Sequence, residues 1–372
     1  MMQAVLNSGI NGSPHLELVE PIDPGPDDVV IRVTASGVCH SDVSASEGLL
    51  GPLGTVVLGH EATGIIEATG SQVRGLMAGD RVIASFRPAC GRCWYCVRDQ
   101  SHLCVSRVAL PGDVNRVIRA DGTTAMSFVG LGTFAEYMTV NVASVVKVET
   151  DLPDEQLALI GCGVTTGVGA VLNTAEVTPG STVAIIGCGG VGQSVIQGAR
   201  IAGATQIIAI DPIALKRDTA VAFGATHVID PLESDSVESV RELTEGRGAD
   251  YAFEVIGLPT TMVQAHAMIR PGGTAVLVGV PSSGAEVTFN ARNLQSGGRK
   301  IIGCTYGSAQ VKRDFVDFIS FAERGLLDLG AMVTRTISLS EVGEAFRALI
   351  SGEVIRTVIL PSSVLDAGGR GK

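Results

Sequence analysis

The sequence predicts an α/β fold organised around a doubly wound parallel sheet. Apolar strand patterns alternate with helical patterns from residue 182 onward. Six strands are expected, at residues 182–187, 206–210, 224–230, 250–257, 274–280 and 300–303. Parallel strands joined by helical crossovers form such a sheet, with helices covering both of its faces.

Length and composition limit the class of protein. At 372 residues the chain has room for two domains. A net charge of −11 and a pI near 5.0 argue against binding of nucleic acid or anionic membrane, which leaves small-molecule partners. The first residues, Met1–Ala4, lack a signal-peptide pattern. Eight cysteines in a long chain indicate metal and thiol chemistry in a reducing compartment, so we expect a cytoplasmic protein.

The regions before and after the predicted parallel sheet have different secondary-structure patterns. Short strand patterns before residue 40, such as 29–33, predict antiparallel β structure. A strand is expected within residues 132–142, and a helix is expected to begin at 153–155. An amphipathic helix over 342–350 should end at Gly352. The uncharged stretch 178–199 contains Pro179 and six glycines, so it fits strand, turn and helix better than a membrane span.

A Gly-x-Gly-x-x-Gly turn joins the first strand of the predicted sheet to its helix at 191–202. Such a turn lets the backbone approach a pyrophosphate, and the amides of the first helical turn point at the negative charge. A flexible glycine turn is the plain alternative, but the flanking strand and helix disfavour it. An acid ends the next strand about twenty residues on, where a carboxylate accepts both ribose hydroxyls and repels a 2′-phosphate. The sequence therefore predicts NAD rather than NADP, bound by Gly187, Gly189, Gly190, Val191, Gly192 and Asp211.

Four cysteines lie within fifteen positions at residues 90–104. Four thiolates at this spacing can close a tetrahedral zinc site, which would be structural because no position stays open. An iron–sulfur cluster is the competing interpretation, since ferredoxins also use a Cys-x-x-Cys-x-x-Cys run. Zinc is favoured because the fourth cysteine comes late and is followed by Val105. The predicted ligands are Cys90, Cys93, Cys96 and Cys104.

A second pair of metal-type residues, Cys39 and His60, lies nearer the N-terminus. Thiolate and imidazole are zinc ligands, but two residues this far apart prove no metal site alone, and a buried cysteine with a hydrogen-bonded core histidine is the default interpretation.

Taken together, these stretches resemble the zinc-dependent medium-chain alcohol dehydrogenase family over nearly the whole chain. The matching motifs are Gly-Val-Cys-His-Ser-Asp at 37–42, Gly-His-Glu at 59–61, the four-cysteine lobe, Gly-Cys-Gly-Val-Thr-Thr-Gly at 161–167, the glycine turn, Phe-Glu-Val-Ile-Gly at 253–257 and Ile-Arg-Thr-Val-Ile at 355–359. The resemblance implies a GroES-like catalytic domain from residues 1–163 and 304–372, with the zinc lobe at 90–104. A Rossmann NAD-binding domain would occupy residues 164–303.

By this resemblance the catalytic zinc ligands are Cys39, His60 and Cys162, which brings the expected zinc content to two per chain. Two thiolates and one imidazole leave a neutral, open site suited to a Lewis acid that acidifies the alcohol before hydride transfer to NAD. Asp42 would hydrogen-bond the far nitrogen of His60, although capping of a helix is its plain alternative. Glu61 would lie behind the metal, with a surface carboxylate as the alternative.

The resemblance also implies a substrate side of the site. Ser41 would hydrogen-bond the alcohol and begin a proton relay, for which Ser44 replaces the histidine that many family members carry, so ordered water is the expected exit. Ser41 replaces a common threonine, which leaves room for bulkier alcohols. The pocket is expected to be lined by Leu50, Phe86, Phe128 and Val129.

The remaining implied contacts concern NAD. Lys216 would join Asp211 at the adenosine ribose, His40 and Arg356 would meet the pyrophosphate, and Thr166 with the backbone at Val278 and Val280 would support the nicotinamide. For His40, Lys216 and Arg356 a solvated surface position is the alternative. Cys188 and Cys304 are expected to be ordinary core thiols.

The leading functional hypothesis is an NAD-dependent dehydrogenase of primary or aromatic alcohols. A thiol-dependent formaldehyde dehydrogenase is the rival, although the glutathione-using branch carries acidic residues where this chain has Gly48 and Leu50. A non-catalytic NAD- and zinc-binding protein is the alternative of another class, disfavoured because no zinc ligand is missing. We expect a homodimer, with a homotetramer as the alternative.

Overall fold

The computed structural model describes residues 1–9, 12–51, 53–105 and 115–361. The chain divides into two compact units. The first contains Met1–Cys162, Gln310–Ile319 and the residues from Leu329 onward, and the second contains Gly163–Ala309 and Ser320–Asp328. The first unit thus combines both ends of the chain.

The first unit contains two sheets. Its closed barrel has the strand order β1-β2-β7-β8-β4. A seven-stranded sheet has the order β10-β6-β5-β3-β18-β17, and β9 also pairs with β3. The strands are β1 Met2–Ser8, β2 His15–Pro21, β3 Asp28–Val38, β4 Thr55–Val57, β5 Ala62–Thr69, β6 Arg81–Ala84, β7 Asn115–Arg119, β8 Thr124–Ser127, β9 Tyr137–Asn141, β10 Val145–Lys147, β17 Val333–Ile337 and β18 Arg356–Ile359.

Strand β3 organises the larger sheet. Val29, Ile31 and Val33 alternate along it and are fully buried, as expected for a strand with one face on a core. Both β5 and β9 pair with β3 antiparallel, and β18 pairs with its C-terminal end. The predicted antiparallel texture of the N-terminal region is therefore confirmed, and the strand is longer than the 29–33 core of the pattern.

The second unit is built on a six-stranded parallel sheet of order β13-β12-β11-β14-β15-β16. This order reverses direction beside the first strand, which confirms the doubly wound sheet. The strands are β11 Thr182–Ile186, β12 Gln206–Ile210, β13 His227–Ile229, β14 Ala249–Glu254, β15 Ile269–Leu277 and β16 Lys300–Gly303.

Two strands differ from the sequence prediction. The pattern at 224–230 yields a strand only at His227–Ile229, because Gly224 takes a left-handed φ of 115° and ends the preceding helix. Strand β15 begins at Ile269 and ends at Leu277, earlier than the predicted 274–280. At the N-terminal edge of this sheet, Asp250 accepts hydrogen bonds from the Thr182 amide at 2.7 Å and from Arg270 Nε at 2.5 Å.

Helices flank both units. They are α1 His40–Ser46, α2 Asp154–Leu159, α3 Thr165–Gly169, α4 Gly190–Ile201, α5 Ala214–Phe223, α6 Ser236–Leu243, α7 Pro259–Met268, α8 Ala291–Ser296, α9 Val311–Glu323 and α10 Val342–Ser351. The predicted C-terminal helix ends as expected, since Gly352 adopts a φ of 77°. Its apolar face packs with Val38 and Ile359 in one core cluster.

The segment Asp154–Thr174 is one continuous helical stretch. Turns of π-helix at Ile160–Val164 and Ala170–Thr174 interrupt its α-helical parts. Among the described residues it alone is long and apolar enough to cross a membrane, but 78% of its apolar window is buried inside the protein. Such burial is typical of a core helix. The sequence prediction located its start and missed both π-helical turns.

The second unit extends beyond the predicted boundary at residue 303. Gly307 approaches Gly169 so closely that a Cβ on Gly169 would lie 2.5 Å from the Gly307 carbonyl oxygen. Thr174 bonds Ser308 at 2.7 Å. Residues 320–328 are held likewise, since the Asp328 amide donates to Gln197 of α4 at 2.7 Å. These contacts keep both stretches with the parallel sheet.

Candidate active site and metal centres

Four potential metal ligands from three parts of the first unit meet in one place. Ligand atoms of Cys39, His60, Glu61 and Cys162 all lie within 4.8 Å of one another. Cys39 follows β3, His60 and Glu61 precede β5, and Cys162 lies in the π-helical turn of the segment 154–174. Turns of π-helix are frequent at functional sites because they re-aim a side chain within a helix.

Backbone geometry explains why glycines stand beside these ligands. Gly59 has a φ of 92°, and a Cβ there would lie 2.4 Å from Thr133 Oγ1. A Cβ on Gly37 would lie 2.2 Å from Glu61 Oε2. Larger residues would therefore displace His60 or Glu61.

Asp42 orients the imidazole of His60. Its Oδ1 lies 3.0 Å from His60 Nδ1 and 3.1 Å from the Gly59 amide, and its Oδ2 accepts the Cys39 amide at 3.1 Å. One fully buried carboxylate thus both bonds the histidine and caps helix α1, so the two alternatives for Asp42 in the sequence hold together. The contact fixes the imidazole tautomer with its proton on Nδ1.

The second imidazole nitrogen of His60, Nε2, shows whether the site suits a metal. His60 Nε2 is buried and has no hydrogen-bond partner among the described residues. A buried polar atom without a partner costs about 1–3 kcal/mol, so such atoms are rare unless an unseen group binds them. With two sulfur atoms close by, the donor set fits zinc, which prefers nitrogen and sulfur ligands.

The pKa values of the three ligands shift in different directions. The Cys162 thiol, assisted by His60, holds the pKa of Cys39 well below its usual range. The same contact, together with burial, raises the pKa of Cys162. Although burial opposes a charged imidazole, Asp42 raises the pKa of His60.

Glu61 and Arg356 form a buried ion pair beside the ligands, joined through Glu61 Oε2 and Arg356 Nη2. Burial raises the pKa of Glu61 to about 7, against the opposing charge of Arg356. Neither side chain lies at the surface, so the solvated alternatives from the sequence do not apply. Glu61 Oε1 has no hydrogen-bond partner among the described residues. The pairing of these two residues was missed, because 295 positions separate them in the sequence.

Two aromatic rings stand edge-on to His60. The Phe86 centroid lies 5.6 Å from that of His60 and the Phe128 centroid 5.5 Å, both at an interplanar angle of 85°. Val129 packs against the same core as Phe128, whereas Leu50 is 41% exposed after helix α1. The structure thus places Phe86 and Phe128 beside the metal ligands.

Ser41 lies on the first turn of α1, with Oγ 3.9 Å from Cys39 Sγ. That distance places a hydroxyl beside the predicted metal site. Ser44 lies one turn further along the same helix, at the position where the family often carries a histidine.

The four cysteines of the lobe also converge. Their sulfur atoms lie within 4.8 Å of one another, with 4.0 Å between Cys90 and Cys96 and 3.9 Å between Cys93 and Cys104. Sulfur atoms at tetrahedral positions 2.3 Å from a zinc ion are about 3.8 Å apart. The Cys96 backbone amide lowers the pKa of Cys93 to about 6. The geometry fits a closed zinc site.

The glycine turn lies between β11 and α4, as the motif requires. A Cβ on Gly192 would lie 1.9 Å from the Gly187 carbonyl oxygen, and Gly187 itself has a φ of 93°. A Cβ on Gly189 would meet nothing within 4 Å. Two of the glycines are therefore needed by the fold, whereas Gly189 faces the open space that a pyrophosphate needs. Gly190 and Val191 form the first turn of α4.

Asp211 lies at the end of β12, beside this turn. Its Oδ2 accepts the Cys188 amide at 2.8 Å and its Oδ1 accepts the Ile213 amide at 2.9 Å. Each oxygen keeps a further lone pair for a hydroxyl. Lys216 lies on α5, where its carbonyl accepts the buried side chain of Gln193 at 2.8 Å. Sequence reasoning missed Gln193, which also bonds the Cys188 carbonyl at 2.9 Å.

The other predicted cofactor residues are distributed over both units. His40 is exposed at the start of α1, and Thr166 lies half-buried on α3. Val278 is buried after β15, where its amide bonds the Glu254 carbonyl at 2.8 Å, and Val280 is 68% exposed. Their contacts with NAD remain predictions. Cys188 is a buried thiol whose pKa burial raises, and burial likewise raises the pKa of Cys304.

Comparisons with known proteins agree with this geometry. Residues 25–150 match the family model of the alcohol dehydrogenase GroES-like domain, and residues 190–324 match that of the zinc-binding dehydrogenase. A putative alcohol dehydrogenase D of Mycobacterium tuberculosis is 37% identical over 351 residues, covering 91% of this chain and 93% of that protein. An S-(hydroxymethyl)glutathione dehydrogenase of Synechocystis is 37% identical over 362 residues, covering 92% and 96%.

A comparison with a solved structure supports the same family for the fold. The benzyl alcohol dehydrogenase of Acinetobacter calcoaceticus superposes with a TM-score of 0.90 at 30% identity, covering 97% of this chain and 99% of that one. The parallel sheet with its glycine turn forms the Rossmann part, and the first unit contains the GroES-like part. Both kinds of part and both cysteine clusters are present. The chain is therefore an oxidoreductase that uses zinc and NAD, and it belongs to the zinc-dependent medium-chain alcohol dehydrogenase family.

Proposed function

We propose that this enzyme oxidises primary alcohols with NAD and prefers those with an aromatic group. The observation that carries the preference is the pair of rings, Phe86 and Phe128, each within 5.6 Å of the His60 ring. Aromatic rings favour edge-to-face partners at such separations, so a benzyl group beside the ligands gains contacts that ethanol lacks. The likeness to a benzyl alcohol dehydrogenase supports the same preference.

The residues of the first unit would hold the zinc and move the proton. Cys39, His60 and Cys162 would be its ligands, and the bound zinc supplies a Lewis acid that lowers the pKa of the alcohol hydroxyl. Ser41 would accept that proton at its hydroxyl and pass it onward. Ser44 cannot act as a base in the way a histidine does, so we propose that water carries the proton from Ser41 to the solvent.

Buried charge around the ligands would keep the site neutral. Two thiolates balance a divalent cation, and Arg356 balances Glu61. Because Glu61 Oε1 lies unpartnered beside the ligands, this carboxylate is close enough to exchange with one of them. Arg356 is held by Glu61, and we propose that its remaining donors meet the pyrophosphate.

The glycine turn and Asp211 would bind the dinucleotide. Asp211 is only 4% exposed and already accepts two amides, so it is held in one position as an acceptor of ribose hydroxyls. A 2′-phosphate would bring two negative groups together, which favours NAD over NADP. We therefore propose that the enzyme discriminates against NADP.

A substrate panel tests this proposal. With NAD, kcat/KM for benzyl alcohol should exceed that for ethanol, and NADP should support little turnover. Phe86→Leu should lower kcat/KM for benzyl alcohol about three- to tenfold, since an aromatic pair contributes about 0.5–1.5 kcal/mol. Ethanol turnover by the same variant is the control and should change less than about twofold. Equal losses for both alcohols would contradict the aromatic contact.

One comparison favours a second candidate, oxidation of the adduct of formaldehyde with a cellular thiol. The Synechocystis relative carries that activity in its name. Gly48 and Leu50 stand where the glutathione-using branch has acidic residues, and both follow helix α1 on a turn. A bacterial thiol other than glutathione would not need those acids. Turnover of formaldehyde with NAD only when a low-molecular-weight thiol is added would establish this function over the first.

The assembly and the compartment stay predictions. We propose a homodimer, with a homotetramer as the alternative, and a cytoplasmic location. Light scattering after gel filtration would decide the oligomeric state, because a dimer and a tetramer differ twofold in mass.

A further inference from the structure

The second unit contains a cavity of about 340 Å³ that the dehydrogenase reaction does not use. It lies among helices α6, α7 and α8 and the segment that leads into β16. Its walls include Arg241 of α6, Val263 and His266 of α7, Phe289, Asn293 of α8, and Arg299. The cavity residues include neither Asp211 nor any residue of the glycine turn or of the two cysteine clusters.

The cavity has a positive wall. Arg299 makes no ion pair among the described residues, and its Nε and Nη1 donate to the carbonyls of Ile269 at 3.0 Å and Asn293 at 3.3 Å. Arg241 pairs with the exposed carboxylate of Glu238 at 2.5 Å. One carboxylate therefore faces two guanidinium groups, which leaves a net positive charge in a protein whose overall charge is −11.

An aromatic and apolar surface completes the cavity. The rings of His266 and Phe289 meet edge-on with centroids 5.3 Å apart, and Val263 is 40% exposed beside them. His266 is only 6% exposed, and its Nε2 has no hydrogen-bond partner in the described part of the chain. Burial and the charge of Arg299 lower the pKa of this histidine, so the ring is neutral at pH 7. A buried unpartnered nitrogen in a cavity wall indicates a missing polar group.

We propose that this cavity binds a small organic anion, with a phosphate or carboxylate group at Arg299 and Arg241 and an apolar body against Phe289 and Val263. Guanidinium groups match both anions through paired hydrogen bonds. A volume of about 340 Å³ is at the lower end of small-molecule sites, which suits a compact ligand. The site differs in residues and in chemistry from the alcohol site, so an occupant would be an effector and not a substrate.

The test is calorimetric titration of the zinc-loaded enzyme with phenyl phosphate and, separately, with benzoate. Saturating NAD is present throughout, so that neither anion reports on the dinucleotide site. One saturable site per chain is expected for at least one of the two probes, and the tighter probe identifies the anionic group. Phenol, which has the ring without the charge, should show no binding that Arg299→Gln weakens, since any binding at the alcohol site is independent of Arg299. Inorganic phosphate, which has the charge without the ring, should bind more weakly than phenyl phosphate.

Two variants and one control locate the site. Arg299→Gln removes a charged donor, and Asn293→Asp adds a negative charge without changing side-chain size. Each should weaken binding about tenfold or more, since a hydrogen bond to a charged group contributes that much. Asn293 makes its hydrogen bonds through its backbone, so its side-chain substitution leaves the fold intact. Arg292→Gln, an exposed arginine of the same helix outside the cavity, should leave binding unchanged.

Three results would overturn the proposal. The first is absence of saturable binding by both probes, and the second is equal affinity of the wild type, Arg299→Gln and Asn293→Asp. The third is inorganic phosphate binding as tightly as phenyl phosphate, because the apolar wall would then contribute nothing. Alcohol oxidation by these variants should match the wild type, so a failure here is distinguishable from a failure of the proposed dehydrogenase function.

Discussion

Replacing Asp42 by asparagine should loosen the catalytic zinc while leaving the chain folded. The wild-type carboxylate accepts three N–H groups, from His60, Gly59 and Cys39, at 3.0–3.1 Å. The amide of asparagine has one acceptor oxygen and one NH₂ group in the same volume. If the oxygen faces His60 and Gly59, the Cys39 amide meets a donor, and in the other orientation two donors lose their acceptor.

The structure sets the size of this effect. One buried donor without an acceptor costs about 1–3 kcal/mol of unfolding free energy, which a domain with about 5–15 kcal/mol survives. Loss of the carboxylate that orients a metal-bound histidine costs about ten- to a hundredfold in metal affinity or activity. We therefore expect the zinc dissociation constant of the Asp42→Asn variant to rise by that factor.

Zinc release to a chromophoric chelator, followed at several chelator concentrations, measures this constant. Glu254→Gln is the matched control, because Glu254 is also fully buried and accepts two amides and the Thr261 hydroxyl at 2.7–2.9 Å in the other unit. All three donors bond Glu254 Oε1, which the glutamine amide oxygen can replace, so this buried carboxylate-to-amide change should leave zinc affinity unchanged. If Asp42→Asn loses stability but no more zinc affinity than Glu254→Gln, Asp42 stabilises the fold alone and the argument for His60 orientation is wrong.

Three further predictions follow from the second unit. Gly192→Ala should lower the melting temperature and abolish NAD binding, because its Cβ would lie 1.9 Å from a backbone oxygen. Gly189→Ala should weaken NAD binding but lower the free energy of unfolding by less than about 1 kcal/mol. Asp211→Gly should weaken NAD about tenfold or more by removing a charged hydrogen-bond acceptor, while NADP affinity stays nearly constant or improves. Partial burial opposes ionisation of Asp250, yet its amide and arginine partners hold its pKa below the usual range, so it should stabilise the fold above pH 4 and lose that contribution at lower pH.

Each of these has a direct check. Fluorescence titration of NADH and thermal melts compare the two glycine variants. Equal losses of stability would contradict the open space assigned to Gly189. Binding of both coenzymes to Asp211→Gly is measured in parallel, and a shared loss would show a purely structural role. Asp250→Asn should be less stable than the wild type by about 1 kcal/mol at pH 7, after screening of a partly exposed pair. The difference should shrink as pH falls below 4, and a constant difference would refute the assignment.

Short apolar runs in the sequence predicted most strands of the parallel sheet. Strands β12 and β16 lie at the expected residues, since short buried apolar runs bounded by turn residues leave few alternatives. Boundaries failed where a glycine or a bulge decides them. Gly224 shortened one strand through its left-handed backbone, and the register shift between Ala249 and Tyr251 accompanies the early start of β15.

The candidate site was only partly accessible from the sequence. The four lobe cysteines are close in sequence, so their spacing alone indicated a metal site. Cys39 and His60 lie 21 positions apart and Cys162 lies 102 positions further along, and only the family resemblance joined the three before the fold did. The Glu61–Arg356 pair and the π-helical turn under Cys162 depend on tertiary packing, which leaves no local pattern to read.

Anomalous diffraction at the zinc edge, on crystals of enzyme shown to oxidise benzyl alcohol with NAD, tests the central claim most directly. The account predicts two zinc peaks per chain. One should lie among Cys39 Sγ, His60 Nε2 and Cys162 Sγ, and the other among the sulfur atoms of Cys90, Cys93, Cys96 and Cys104. An active crystal with no zinc peak at Cys39, His60 and Cys162 would contradict the account.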